Sequence, residues 1–180
     1  MDFLTPEIKK QIKNQLEPLT DSNIADVETA YKKIIEKIPY QYLAHLIRTM
    51  EMYAQETLSC PFFRITCSPV DIREVAQGLA SGLYYDKTSF DIVYDSKSDA
   101  IQTRVAIAHE LGHLFVILLN NGQNAEDKHE PLSSLFGITA MIHKRIDNNG
   151  KKRCHKSDED IVKDFILLKN KDCGTYNKSC

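Results

Sequence analysis

The sequence lacks the features that mark secreted, membrane-spanning and nucleic-acid-binding proteins. No basic segment followed by an apolar one stands at the N-terminus, as a secretion signal would require. The apolar run Leu114–Leu119 is too short to cross a bilayer, which takes about 20 residues. A formal net charge of −2 gives no electrostatic reason to expect nucleic-acid binding. We therefore expect a cytoplasmic protein that binds neither membranes nor nucleic acid directly.

The cysteines also lack the number and spacing that indicate disulfides or a metal-binding motif. The five cysteines are odd in number and have no C-x-x-C spacing, which favours free thiols in a reducing compartment. They are Cys60, Cys67, Cys154, Cys173 and Cys180. A second metal site built from the last three cysteines and His155 would match no standard spacing for structural zinc. We do not expect such a site.

The length and composition are those of one globular domain with a helical addition. The hydrophobic share of 42% and the charged share of 27% are ordinary for a globular protein. Apolar residues at helical spacing predict an N-terminal helical segment at 1–59, packing on or flanking the core. The main domain is expected at 60–170, and a flexible polar tail at 171–180. We see no internal repeat.

Short β-rich stretches and helices alternate in the main domain. Phe62–Thr66 is predicted as a strand, and Ser68–Ala80 as a helix that begins with a capping serine and a proline. Leu83–Tyr85 and Phe90–Tyr94 are predicted to form a hairpin. Later helices are expected to begin at Ser98 or Asp99, at Glu130 and at Ser157. The predicted class is α+β, with a small antiparallel sheet.

The segment from His109 to His113 reads H-E-L-G-H and matches the pattern H-E-x-x-H. Residues four apart lie on one face of a helix, so both imidazoles can bind one zinc ion. Glu110 follows the first ligand and can accept a proton from the water that zinc activates. The alternative is a surface helix with three solvated polar residues. The apolar stretches on both sides of the pattern predict a buried helix instead, where such side chains need partners.

A catalytic zinc needs a third protein ligand. The candidates after His113 are Glu126, Asp127, His129 and Glu130. Glu130 is favoured because it begins a predicted helix whose apolar residues should fix its position, whereas Glu126 and Asp127 fall in a predicted loop. Val116 and Leu119 stand where the metzincin pattern H-E-x-x-H-x-x-G-x-x-H requires glycine and histidine, so a histidine ligand at that spacing is excluded.

Three segments resemble the ImmA/IrrE family of metallopeptidases. Arg104–His113 is similar to its signature R-F-T-x-A-H-E-L-G-H, and Pro69–Ala76 with Gly82-Leu83 to its first core helix and the following strand. Glu130–Gly137 is similar to its segment E-x-x-A-x-x-F-A. The resemblance implies a zincin-like core of an active-site helix, a small sheet and a third-ligand helix. It also implies that a glutamate of the third segment, here Glu130, is the third zinc ligand.

The resemblance implies a zinc-dependent endopeptidase, often encoded with mobile elements, that cleaves a helix-turn-helix transcriptional repressor in the cytoplasm. A non-proteolytic regulatory binding protein that contains a metal is one alternative. A metallohydrolase of small peptides is another. The oxyanion of the reaction needs a donor besides zinc, and sequence neighbourhood suggests His129, His143, Tyr84 or Tyr85. Asp99 is a candidate for orienting a histidine ligand.

Overall fold

The structure, a computed structural model, describes residues 4–16, 19–37, 43–72, 81–123, 129–143 and 157–173. Within these ranges the chain forms six α-helices and three β-strands, so the predicted α+β class is confirmed. The helices are α1 (Pro6–Gln15), α2 (Asp21–Ile35), α3 (Leu43–Thr57), α4 (Ala100–Leu119), α5 (His129–His143) and α6 (Asp158–Cys173). The strands are β1 (Arg64–Val70), β2 (Ser81–Tyr85) and β3 (Ser89–Asp95).

Capping residues stand before several helices, as the sequence predicts for Asp99 and Ser157. The Thr5 side chain accepts a hydrogen bond from the Ile8 amide, with proline at the first position of α1. Asp99 and Gln102 form a reciprocal capping box at the start of α4. The hydroxyl of Ser157 accepts from the Asp160 amide ahead of α6. Each pattern supplies acceptors for amides that have no partner inside the helix.

The three strands form one sheet in the order β1-β3-β2. β2 and β3 pair antiparallel, which confirms the predicted hairpin. β1 pairs with β3 in parallel, so the sheet is mixed and the prediction of an antiparallel sheet was wrong. The alternation of apolar residues fixes which face of a strand is buried, but it does not fix the direction of the neighbouring strand. β2 is an edge strand, with β3 as its one paired strand within the described ranges.

The predicted start of a helix at Ser68 was also wrong. Ser68 and Pro69 belong to β1, where they pair with Val93 and Tyr94 of β3. A proline has no amide to donate, but an edge strand such as β1 tolerates it. Ile72 is helical, and residues 73–80, where the rest of this helix was predicted, lie outside the described residues.

One hydrophobic core joins the N-terminal helices to the rest of the molecule. The rings of Phe115 in α4 and Phe136 in α5 stack with centroids 4.5 Å apart. Tyr31 of α2 meets the same Phe136 ring edge-on at 5.2 Å. All three side chains are fully buried. α2 therefore packs against α5, and α3 packs against α4, the helix that carries the H-E-x-x-H pattern.

The helices are of moderate length. Among the described residues, none of them is both long and apolar enough to cross a membrane. α6 continues to Cys173, three residues into the segment predicted as a flexible tail, and residues 174–180 lie outside the described part.

Candidate metal centre

His109, Glu110 and His113 lie in the middle of α4. Most of the helix is buried, from Val105 to Leu118, as the apolar stretches around the motif predict. Glu110 is 5% exposed. The side chains of His109 and His113 are 17% and 12% exposed. The alternative of three solvated residues on a surface helix is therefore wrong.

Glu130 of α5 completes a cluster with the two histidines. Its Oε1 lies 3.6 Å from His109 Nε2, and its Oε2 lies 3.4 Å from His113 Nε2. The two Nε2 atoms are 2.9 Å apart. Ligands of a tetrahedral zinc ion, each about 2.0–2.1 Å from the metal, are separated by roughly 3.3–3.4 Å. The 3.4 Å separation matches this value, the 3.6 Å separation is slightly longer, and the 2.9 Å separation of the two imidazoles is a few tenths of an ångström shorter.

The short distance between the two imidazoles restricts their protonation. Two N–H groups cannot point at each other across 2.9 Å, so at least one Nε2 presents a lone pair. A lone pair on nitrogen is what a metal ion requires from histidine. The carboxylate of Glu130 supplies the negative charge, and its side chain is 48% exposed, so the cluster opens to solvent on that side. These three residues lie close enough together to bind a metal ion.

A close approach of two helices brings Glu130 to the histidines. A methyl group built on Gly112 would lie 2.2 Å from the carbonyl oxygen of Ser133 in α5. Only glycine therefore lets the backbones of α4 and α5 come this near. Ser133 also donates to the carbonyl of Glu130 with 2.9 Å between the oxygens, which ties the first turn of α5 to the contact. Gly112 thus sets the distance between the histidine helix and the glutamate helix.

Glu110 has a partner that sequence reasoning missed. The hydroxyl of Ser81, the first residue of β2, donates to Glu110 Oε1 at 2.5 Å. The two residues are 29 positions apart in the chain, so no local pattern signals the contact. The pairing places the end of an edge strand directly beside the acidic residue of the motif.

Tyr84 and Tyr85, two of the candidates for the oxyanion donor, both lie on β2. Tyr84 is 62% exposed on β2. The Tyr85 hydroxyl donates to the Gly122 carbonyl at 3.2 Å, beyond the end of α4 and about 15 Å along the helix from His109. The pKa of Tyr85 is raised by burial and by the nearby charge of Asp86. The structure therefore does not bring Tyr85 to the cluster.

His129 and His143 are the first and last residues of α5, and their side chains lie outside the described part of the structure. Asp99 is the N-cap of α4, where its carboxylate accepts from the amides of Ile101 and Gln102. That position is ten residues before His109, about 15 Å along the helix, so Asp99 does not orient a histidine of the cluster.

Glu126 and Asp127, the other possible third ligands, lie outside the described residues, as do Cys154, His155 and Cys180. Comparison of the chain with protein-family models, with curated proteins and with solved structures found no match.

Proposed function

We propose that this chain is a cytoplasmic zinc-dependent endopeptidase with a zincin-like core. The observation that carries the proposal is the convergence of His109, His113 and Glu130 next to a buried Glu110. Two imidazoles and one carboxylate are a donor set found in catalytic zinc sites, which keep a further position open. The partial exposure of the Glu130 side chain supplies an open side for a substrate.

The roles of the residues follow from the chemistry of the donor set. His109, His113 and Glu130 would hold the ion. Zinc, when bound, supplies a Lewis acid that polarises a peptide carbonyl and lowers the pKa of water. Glu110 is adjacent to His109 and is not one of the three donors, so its carboxylate is the base that accepts a proton from the attacking water. The same carboxyl group then returns the proton to the leaving amine.

The edge strand β2 offers a place for an extended substrate. Its first residue touches Glu110, and strand addition to such an edge gives affinity through main-chain hydrogen bonds. The resemblance to the ImmA/IrrE family favours a helix-turn-helix repressor as the substrate. A short exposed segment of such a repressor could add to the edge of β2 as an extended strand.

The first test is the metal content of the purified protein, measured by elemental analysis. We expect about one zinc ion per wild-type chain, and its loss in His113→Ala and Glu130→Ala. Glu159→Ala is a matched control, because Glu159 is an exposed glutamate at the second position of α6, as Glu130 is in α5. Zinc that survives Glu130→Ala would contradict the assignment of the third ligand.

The second test separates hydrolysis from binding. Glu110→Gln should retain the metal and lose at least about 100-fold of the hydrolysis rate, because glutamine cannot accept the proton. Cleavage of a purified helix-turn-helix repressor is measured against cleavage of short peptides. A zinc-loaded wild type that binds the repressor without cutting it would support the regulatory binding protein, and cleavage of short peptides alone would support the small-peptide hydrolase.

A further inference from the structure

Ser81 contacts the acidic residue of the motif without being one of the metal donors. It is the first residue of β2, and it pairs with Tyr94 of β3. Ser81, Leu83 and Tyr85 share one face of the strand because side chains alternate. The Tyr85 hydroxyl contacts the Gly122 carbonyl just beyond the end of α4, and the Ser81 hydroxyl contacts Glu110 within it, so this face of β2 is turned towards α4.

The hydrogen bond from Ser81 is one of the contacts that orient the Glu110 side chain. A glutamate has three side-chain torsions, and a base must lie within about 2.6–3.2 Å of the proton that it abstracts. Glu110 is 5% exposed, and a hydrogen bond is stronger in such a low-dielectric site than in water. A carboxylate has room for about four hydrogen bonds, so the bond from Ser81 is compatible with a water molecule bound to the same group.

We propose that Ser81 is a positioning residue that holds the Glu110 carboxylate in its working orientation. This inference rests on the proposed peptidase function, in which Glu110 is the base. The strand fixes the Ser81 hydroxyl, because β2 is paired with β3 along its length. The sheet therefore aligns the base of a reaction whose other groups are carried by α4 and α5.

The role predicts which kinetic constant changes. Ser81→Ala removes the hydroxyl and leaves the main chain, so strand addition of a substrate and its KM stay as they are. Metal content also stays the same, because Ser81 donates to Glu110 and not to a metal donor. The value of kcat falls about ten- to 100-fold, which is the scale of effect for a displaced catalytic group.

The experiment compares Ser81→Ala with Ser81→Thr in the zinc-loaded protein. Threonine keeps the hydroxyl and suits a strand, so we expect Ser81→Thr to recover most of the kcat that Ser81→Ala loses. Ser89→Ala is the matched control, because Ser89 is the first residue of β3 and also donates to a carboxylate, that of Asp91 at 3.4 Å. Its kcat should equal that of the wild type.

A double mutant tests whether Ser81 acts through Glu110. In the Glu110→Gln background, the additional change Ser81→Ala should alter the residual rate less than two-fold, since the base is already gone. A kcat of Ser81→Ala equal to the wild type would overturn the positioning role while leaving the peptidase intact. A zinc-loaded wild type with no hydrolysis would instead overturn the proposed function, and the inference with it.

Discussion

Cys67 is a partly buried thiol on the core-facing side of β1. It pairs with Ile92 of β3, and burial raises its pKa from the ordinary 9.0 to about 11. Only about one in 1,000 of these thiols is therefore a reactive thiolate at pH 8. We predict that Cys67 resists alkylation by iodoacetamide at pH 8 in the folded protein, as measured by peptide mass spectrometry.

The control is the same reaction in denaturant, where all five cysteines should be modified. The raised pKa also has a consequence for stability. The folded state keeps the proton of Cys67 to a higher pH than the unfolded state, so this contribution is complete below pH 9 and is lost as the pH rises from 9 to about 11. Rapid labelling of Cys67 at pH 8 would contradict the prediction.

Individual residues of the metal centre differ in how far the sequence could predict them. His109 and His113 could be predicted because both lie on one helix at a fixed spacing. Glu130 could be predicted because it stands at the start of a helix whose apolar residues had to face the core. Ser81 and Gly112 could not, because each acts through a contact between segments that are distant in the chain.

At the scale of elements, the crossing of α4 and α5 decides whether the metal centre forms. We predict that Gly112→Ala destabilises the protein by about 2 kcal/mol or more, although alanine favours a helix over glycine by about 1 kcal/mol. The added methyl group would displace Ser133 and the first turn of α5. Zinc affinity should fall about ten-fold or more, because Glu130 moves with that turn.

Gly82→Ala is the control for this prediction. A methyl group on Gly82 would lie 3.5 Å from the Val93 side chain, an ordinary contact, so stability and zinc affinity should change little. Chemical denaturation and a competitive zinc indicator measure the two quantities. Equal zinc affinity of Gly112→Ala and the wild type would refute the role of the crossing.

Helix ends were easier to predict than the arrangement of the strands. Thr5, Asp99 and Ser157 cap helices by contacts within three residues, which a short pattern encodes. The direction of β1 depends on its pairing with β3 over 25 positions of sequence. The prediction of a helix at Ser68-Pro69 was wrong because a proline suits both the first turn of a helix and an edge strand. Only the long-range pairing with β3 decides between the two.

At the scale of the whole molecule, a bound metal would link the two central helices and stabilise the fold. We predict that EDTA lowers the Tm of the wild type by about 10 °C, since a ligand at 1,000 times its Kd contributes about 4 kcal/mol and each 1 kcal/mol shifts Tm by about 2–4 °C at this size. Differential scanning calorimetry measures the change. Glu130→Ala should have a low Tm that EDTA leaves unchanged, and an unchanged wild-type Tm would contradict the prediction.

The three residues of the candidate metal centre lie at positions of their helices where we expect different free energies of local opening. His109 and His113 lie in the middle of α4, whereas Glu130 is the second residue of α5. The first amides of a helix have no carbonyl partner within it, and such ends open at a lower free energy than the middle. Release of the ion would then follow fraying of the first turn of α5. A chelator could empty the protein without unfolding it, and the two histidines would stay in place to capture the next ion.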